Sequence, residues 1–294
     1  MVKRMVVAVI FLLFWAQYLA SEILPCLDLK AAEKRMKEFK ETKGPFASVS
    51  PNISLGVKAF DWRDKVVLSP VQSHLVTNYC AGCWALAAAS AITDRMRIHS
   101  SDPKMENFYI SAQEIIRCSK AGTCLSGGES LGVYQYMVTD SIPDETCNIY
   151  WGVDAECDHT RKCILCRDGY CEGVEKFKSY TITSYGVVTG EEEMMEEIMQ
   201  NGPISCQMHA PKDFFNYTDG VLIQKTSGQP NLMVLIIGWG EDTDQEGKTL
   251  PYWIGKNSYG TFWGEDGHFR VPRSSYKGPE YTFSIEESCS FPII

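Results

Sequence analysis

The fold is decided by the stretch Tyr79-Cys80-Ala81-Gly82-Cys83-Trp84-Ala85, which opens a run of small and apolar residues that reaches Ile92. Such a run predicts a helix that is buried on most sides and packed closely. Cys83 lies in its predicted first turn, where unpaired N–H groups and the helix dipole favour a thiolate and hence a nucleophile. The spacing of Cys80 and Cys83 is equally compatible with a redox pair, a disulfide end or half of a zinc site.

Two further helices are predicted by capping-box spacing, in which a Ser or Thr is followed three residues later by Glu or Gln. The first such pair is Ser111 with Glu114. The second is Thr189 with Glu192, ahead of a methionine-rich face that is expected to fill the core. Asn201-Gly202-Pro203 is expected to end this second helix.

The second half of the chain is predicted to form strands. Residues 179–188 alternate in part between apolar and polar side chains, and residues 232–237 form a short apolar run between Pro230 and Gly238-Trp239-Gly240. Helices followed by strands predict an α+β protein of two lobes. The length of 294 residues fits one large domain or two lobes that share an interface.

The composition argues against several classes of function. The chain has 28 Lys and Arg against 37 Asp and Glu, which gives a net charge of -9. Phosphate backbones and anionic membrane faces would repel such a chain, so no nucleic-acid partner is expected. A hydrophobic content of 45% is enough to bury a core, which argues against disorder.

The first residues predict entry into the secretory pathway. Lys3 and Arg4 precede an apolar run over residues 5–16, so residues 1–20 are predicted to be a signal peptide, and the run is too short to span a membrane. The 12 cysteines predict a disulfide framework, whose connectivity does not follow from spacing alone. Asn52 and Asn216 lie in Asn-X-Ser/Thr sequons and are glycosylation acceptors where they are exposed.

Residues 21–57 are interpreted as a short propeptide. Residues 27–43 are rich in Lys and Glu, with Met36 and Phe39 as the sizeable apolar side chains, and a stretch with Gly44, Pro45 and Pro51 follows. This pattern favours a removable leader. The alternative is a solvated helix that belongs to the mature fold.

The stretch around Cys83 is one of several segments that occur in the order of a known family. The others are Asp61-Trp62-Arg63, Ile110-Ser111-Ala112-Gln113-Glu114, Gly127-Gly128, Ile142-Pro143-Asp144-Glu145-Thr146-Cys147, Asn201-Gly202-Pro203-Ile204-Ser205-Cys206, Gly238-Trp239-Gly240, Asn257-Ser258-Tyr259-Gly260, Trp263-Gly264 and Ile285-Glu286-Glu287-Ser288-Cys289. Together they resemble the papain-like cysteine proteases, and among them the cathepsin Z group. The resemblance implies a peptidase domain over residues 58–294. It would have a helical lobe over 58–175 with a long central helix, a β-barrel-like lobe over 176–294 and an active-site cleft between them.

The resemblance implies catalytic positions, two of which depart from the family. The nucleophile matches Cys83, and the asparagine that orients the catalytic histidine matches Asn257. The position of that histidine holds Leu232, and the position of the oxyanion-hole glutamine holds His74. An imidazole holds the thiolate in an ion pair and then protonates the leaving amine, and leucine does neither. Because loss of a triad member costs roughly 10⁴ to 10⁶ in turnover, activity is expected to be close to nothing.

Other cleft positions carry over with further changes. Gly127, Gly128 and Trp263 match residues that bind the ligand. The mini-loop histidine of the cathepsin Z group, which resembles a carboxylate clamp, is replaced within residues 75–77. The tryptophan that shields the asparagine is Tyr259.

The resemblance also implies the pairing of the cysteines. Ten are expected to pair as Cys80–Cys124, Cys118–Cys157, Cys147–Cys163, Cys166–Cys171 and Cys206–Cys289. Cys26 would then tether the propeptide to Cys83, although the charged stretch after Cys26 does not resemble the family's propeptide. Alternatively, Cys26 pairs between chains or stays free.

These residues favour a secreted or lysosomal pseudoprotease of the cathepsin Z type. It would act as a monomer that binds a peptide, a protein ligand or a cystatin-type inhibitor, without cofactor or metal. One alternative is an active cysteine-type carboxypeptidase with an unconventional base, for which His209 is the candidate, while His99, His159 and His268 are expected in surface or structural roles. Another is a structural or adhesive secreted glycoprotein. A sequencing error at Leu232 is a further explanation, because His and Leu codons can differ by one base.

Overall fold

The computed structural model describes residues 25–42, 56–75, 78–102, 105 and 107–294. The predicted signal peptide, the sequon at Asn52 and residues 76 and 77 of the mini-loop lie outside these residues. Within them, no helix is both long and apolar enough to cross a bilayer.

The helical lobe is organised around one long central helix that starts at the candidate nucleophile. The α-helices of the described residues are α1 (Leu29–Thr42), α2 (Cys83–His99), α3 (Ala112–Cys118), α4 (Ser130–Thr139), α5 (Glu191–Asn201) and α6 (Ser274–Lys277). Every residue of α2 from Cys83 to Met96 is buried. The many alanines of α2 allow this, because small side chains let neighbouring elements approach the helix closely.

The two predicted capping boxes have different outcomes. The hydroxyl of Ser111 accepts the backbone N–H of Glu114 at the start of α3, as predicted. The prediction for Thr189 is wrong, because α5 is capped by Gly190 without a side-chain hydrogen bond. Gly190 has a φ of 82°, which glycine adopts readily, and it replaces Thr189 as the N-cap residue of α5. The helix ends before Gly202 as expected.

The β lobe is built on a seven-stranded antiparallel sheet. In the part of the chain that the structure describes, the strands are β1 (Phe60–Asp61), β2 (Gly122–Thr123), β3 (Gly127–Gly128), β4 (Ile142–Pro143), β5 (Ile164–Arg167), β6 (Tyr170–Gly173), β7 (Ser179–Tyr180), β8 (Ser184–Val188), β9 (Ile204–Met208), β10 (Leu232–Thr243), β11 (Thr249–Lys256), β12 (His268–Pro272) and β13 (Cys289–Ile293). Short 3-10 helices cover Trp62–Asp64, Lys212–Asn216, Pro279–Tyr281 and Ile285–Glu287. The sheet order is β12-β11-β10-β9-β13-β8, and β1 also pairs with β10. The α+β fold of two lobes that the sequence predicted is confirmed, and in the described chain the barrel-like lobe is an open sheet, because its end strands β12 and β8 do not pair with each other.

Two strand boundaries differ from the sequence prediction. The strand predicted over residues 179–188 is interrupted, because the N–H of buried Ile182 donates to the carbonyl of Met137 in α4 instead of a neighbouring strand. The strand predicted to stop before Gly238 continues to Thr243, with an irregularity between Ile236 and Gly238. A Cβ at Gly238 would overlap the carbonyl oxygen of Phe60, so this glycine admits β1 to the sheet rather than forming a turn.

Helix α2 joins the two lobes through a buried charge. Arg95, whose side chain is 2% exposed, forms an ion pair with Glu197 of α5 at 2.7 Å. The same guanidinium donates to the carbonyls of Pro203, just before β9, and Pro292 in β13. Because α2 also packs along β10, its first turn meets the beginning of that strand. This meeting point is where the candidate site lies.

Candidate active site

The sulfur of Cys83 lies at the N-terminus of α2, and its partner is Cys26. Helix α2 begins at Cys83, after the N-cap residue Gly82, and the residue is fully buried. The disulfide Cys26–Cys83 closes over it. The backbone N–H of Met233, the second residue of β10, donates to Sγ of Cys83 over 3.2 Å. The helix terminus and this N–H both favour negative charge on the sulfur.

The other cysteines form the five pairs that the resemblance implies. These are Cys80–Cys124, Cys118–Cys157, Cys147–Cys163, Cys166–Cys171 and Cys206–Cys289. Cys80 is therefore bonded to Cys124 and forms neither a redox pair with Cys83 nor a zinc site. No group of metal-ligating side chains occurs among the residues described above.

The short segment around Cys26 lies in the cleft and makes backbone hydrogen bonds on two sides. The N–H of Cys26 donates to the carbonyl of Asn231 at 3.1 Å, and its carbonyl accepts the N–H of Gly128 at 3.1 Å. Leu27 forms a parallel bridge with Gly128. A Cβ at Gly127 would lie 2.5 Å from the carbonyl carbon of Cys26, so only glycine permits this approach. Gly127 and Gly128 thus form one wall of a groove that holds an extended polypeptide.

The charged stretch after Cys26 is helical. Helix α1 follows the extended segment directly and buries Ala32 and Phe39. The ring of Phe39 lies 5.6 Å from that of Tyr185 in β8. The stretch interpreted as a leader is therefore an ordered helix packed on the domain, and its removal remains a prediction.

Leu232 is the first residue of β10 and lies next to the N–H that contacts Cys83. It is 3% exposed and pairs with Met208 of β9. Its side chain lines a cavity of about 800 Å³ beside the disulfide. The hydrocarbon side chain offers the sulfur neither a proton acceptor nor a proton donor.

Asn257 follows β11 and has an unpaired amide nitrogen. The side chain is 3% exposed, and Oδ1 accepts the N–H of Ser258 at 2.8 Å. Nδ2 is buried and has no hydrogen-bond partner. A buried donor without a partner costs about 1–3 kcal/mol, and it commonly marks a group that is built to serve another.

His74 is anchored to the residue that follows Asn257. Nδ1 of His74 lies 2.9 Å from the hydroxyl of Ser258, and the backbone N–H of His74 donates to the carbonyl of Ser258. Burial lowers the pKa of His74 to about 4, against the smaller raising effect of its hydrogen bond with Ser258. The imidazole is therefore neutral near pH 5 to 7 and lines the same cavity as Leu232.

All five histidines of the chain lie within the described residues, and none of them forms a hydrogen bond with Sγ of Cys83. Besides His74, the polar contacts are His99 Nε2 with the Asn201 carbonyl, His159 Nε2 with the sulfur of Cys157 and His209 Nδ1 with the Gln229 carbonyl. His268 lies in β12 with its Nδ1 unpaired. His209, the candidate base, follows β9, and its Nδ1 is hydrogen-bonded to the carbonyl of Gln229.

The cavity beside the disulfide has mostly aromatic and aliphatic walls. Its volume is about 800 Å³, within the range of small-molecule and side-chain pockets. The side chains that shape it include His74, Tyr79, Phe214, Phe215, Leu232 and Tyr259. The exposed sequon residue Asn216 is at its rim.

Trp263 supports this wall from behind. It is 5% exposed, and its indole N–H donates to the carbonyl of Phe215. Its ring lies 5.3 Å from that of Tyr259 and 4.9 Å from that of Phe214. Trp263, which the sequence analysis interpreted as a binding residue, thus lies behind the residues that line the cavity and packs against them.

Some contributors to the site have no signal in the sequence. Met233 and Asn231 act through backbone groups, which any residue type supplies. Ser258 holds His74 through a hydroxyl that lies 184 residues further along the chain. Only the fold brings these groups together.

The family follows from comparison with known proteins. Residues 57–293 match the family described as papain family cysteine protease, and the chain belongs to this family. Within it, the chain is a cathepsin Z-like cysteine peptidase homologue. It is 38% identical over 236 residues to a cathepsin Z of Onchocerca volvulus, which covers 79% of this chain and 76% of that protein.

Other relatives extend the comparison. A tubulointerstitial nephritis antigen-like protein of Mus musculus is 29% identical over 239 residues, 73% of this chain and 51% of that protein, so the match spans about half of that relative. Among solved structures, the bromelain protease of Ananas comosus in complex with the E64 inhibitor superimposes with a TM-score of 0.65 at 25% identity. It covers 81% of this chain and 99% of that one. The cysteine protease CMS1MS2 of Carica candamarcensis, in complex with E-64, gives a TM-score of 0.64 at 24% identity over 80% of this chain and 98% of that one, which shows the fold alone.

Proposed function

We propose that this chain is a papain-family protein that binds an extended polypeptide in its cleft without cutting it. The proposal rests on the residue at the start of β10. This residue is Leu232, a hydrocarbon side chain next to the Met233 N–H that contacts the buried sulfur of Cys83. Peptide hydrolysis by a cysteine needs a group that takes the thiol proton and returns it to the leaving amine. Leu232 stands in the position where the family resemblance expects that group.

Asn257 is buried at the position where, in the family resemblance, an asparagine orients the catalytic histidine. Its Oδ1, the atom that could accept from an imidazolium N–H, accepts the backbone N–H of Ser258 instead.

The neutral imidazole of His74 fits the position of an oxyanion-hole donor. Nδ1 faces the hydroxyl of Ser258, so a tautomer that accepts there carries its proton on Nε2. A neutral donor of this kind stabilises an oxyanion but does not activate the thiol. It therefore leaves the deficit at Leu232 unchanged.

The ligand class follows from the segment that occupies the groove. The carbonyl of Cys26 accepts the N–H of Gly128, and the N–H of Cys26 donates to the carbonyl of Asn231. Such backbone hydrogen bonds recognise an extended chain irrespective of its side chains. A peptide, an extended loop of a protein ligand or a cystatin-type inhibitor has this chemistry. We place the protein as a monomer in the secretory pathway, in the extracellular space or the lysosome, where six disulfides persist.

The proposal is tested by restoring the histidine. The Leu232→His variant, alone and with His74→Gln, is assayed for peptide hydrolysis against a Cys83→Ala control. The proposal requires no hydrolysis by the parent chain above that control and a large gain in the variant.

A further inference from the structure

Four large apolar side chains lie in solvent beside the groove. Leu125, in the turn between β2 and β3, is 77% exposed, and Trp151 is 61% exposed. Ile149 and Val153, on either side of Trp151 in the chain, are exposed as well. These four residues are called the apolar platform below. Apolar side chains that gather on a surface commonly mark a site of contact with another protein.

The backbone under the apolar platform is fixed by one buried side chain. Gln113 of α3 is 2% exposed, and its Oε1 accepts the N–H groups of Trp151 and Gly152 over 2.9 and 3.0 Å. Its Nε2 donates to the carbonyl of Val153 over 2.7 Å. Because one amide holds three consecutive residues, Trp151 and Val153 are presented to solvent on a fixed backbone. A surface that is already ordered loses little entropy when a partner binds.

The apolar platform is continuous with the wall of the groove. Leu125 and Gly128 belong to the hairpin of β2 and β3 and are three residues apart, so at most about 11 Å separates their Cα atoms. The backbone N–H of Cys124 donates to Oδ1 of Asp154 over 2.8 Å, which joins this hairpin to the residue after Val153. A partner on the platform therefore lies next to the groove without entering it.

The border of the apolar platform is acidic. Asp154 and Glu156 follow Val153, and both are exposed. Neither carboxylate forms an ion pair with a described side chain. The chain as a whole carries a net charge of -9. Carboxylates beside apolar side chains attract a segment in which Lys or Arg alternates with apolar residues, and they repel an anionic membrane surface.

We propose that the apolar platform binds a basic, apolar segment of a second protein. The apolar side chains of this segment cover Trp151 and Leu125, and its cations meet Asp154 and Glu156. Trp151 is the anchor, because aromatic side chains carry a large share of the binding energy at protein interfaces. The platform is exposed while the segment around Cys26 fills the groove, so the partner binds irrespective of what the groove holds.

The experiment titrates a short fluorescent peptide, in which Lys alternates with Leu and Phe, into the full chain and follows its anisotropy. Trp151→Ser is expected to weaken binding roughly 10-fold, as for the loss of an aromatic anchor. Asp154→Asn with Glu156→Gln should weaken binding by a smaller factor and reduce its dependence on salt. Phe262→Ser is the matched control, because Phe262 is an aromatic residue outside the platform that is 75% exposed, and binding should not change.

A second peptide, with Ser in place of Leu and Phe, keeps the charge and should bind more weakly. The proposal is overturned if the two peptides bind equally, if the parent chain and Trp151→Ser bind the first peptide equally, or if the parent chain does not bind it. Leu125→Ser is the second platform variant and should also weaken binding, and thermal unfolding of each variant checks its fold.

Sedimentation of the parent chain tests a different occupant. A dimer that Trp151→Ser dissociates would assign the apolar platform to a second copy of this chain and would overturn the proposal as well. The segment around Cys26 fills the groove in every measurement. The outcome is therefore independent of whether the open groove binds or cuts a peptide.

Discussion

The backbone N–H of Met233 lies 3.2 Å from Sγ of Cys83 and donates to it. Once the disulfide with Cys26 is reduced, this N–H and the N-terminus of α2 would stabilise a thiolate at Cys83. Neither of them takes up or releases a proton during a reaction cycle. Among the described side chains around the sulfur, Leu232 lies beside this N–H and offers no titratable group. Under the proposed function, the site keeps the groups that stabilise a thiolate and lacks a group that transfers protons.

Replacement of Leu232 by histidine should create peptidase activity. The imidazole would face the cavity beside Cys83, which Leu232 lines. We expect hydrolysis of a peptide substrate at least about 10²-fold above the Cys83→Ala control, part of the roughly 10⁴ to 10⁶ that a triad member contributes. The assay is done after reduction and trimming of the leader. Hydrolysis by the parent chain above the Cys83→Ala control would show that another base works in place of Leu232.

Replacement of Gly127 by alanine should displace the segment around Cys26. The φ of Gly127 is 73°, and a Cβ there would lie 2.5 Å from the carbonyl carbon of Cys26. We expect loss of the Cys26–Cys83 bond, measured as alkylation of Cys26 without reductant, and weaker binding of a cystatin. Gly247→Ala is the matched control, because its φ is 78° and nothing lies within 4 Å of the added Cβ. An intact disulfide in Gly127→Ala would contradict the role of this wall.

His74 should make the fold less stable in acid. Its folded pKa, lowered by burial to about 4, lies below the unfolded value of about 6.5. Above pH 6.5 the imidazole is neutral in both states, and as the pH falls toward 4 only the unfolded chain gains the proton. The free energy of unfolding should then fall by about 3 kcal/mol between pH 7 and 4 relative to His74→Gln. Urea unfolding at several pH values measures this difference, and parallel pH curves for the two chains would refute it.

Removal of the buried charge on α2 should strongly destabilise the chain. Arg95 and Glu197 are 2% and 1% exposed, so Arg95→Met leaves Glu197 buried and unpaired. The expected loss in the free energy of unfolding is about 3–5 kcal/mol. Lys34→Met is the control, because its pair with Glu38 is exposed and should change stability by less than about 0.5 kcal/mol. If Arg95→Met lowers the free energy of unfolding by less than about 1 kcal/mol, the ion pair with Glu197 does not help to hold the two lobes together.

Much of the fold was predictable because the relevant signals are local. The run of small residues after Cys83 and the Ser111 cap predicted α2 and α3, since both depend on neighbouring residues only. The prediction failed at Thr189 because one glycine of positive φ moved the helix start. The prediction that the strand stops before Gly238 also failed. Glycine is required there because β1 approaches β10 closely, and not because the chain turns.

The order of residues by itself determined the family, the nucleophile position at Cys83, the pairing of the cysteines by resemblance and the leucine at position 232. The tertiary structure decided the state of the site: the unpaired amide of Asn257 and the neutral imidazole of His74. The reason is that burial and long-range contacts set hydrogen-bond partners and pKa values. Both depend on residues that are distant in the chain and meet only when it is folded.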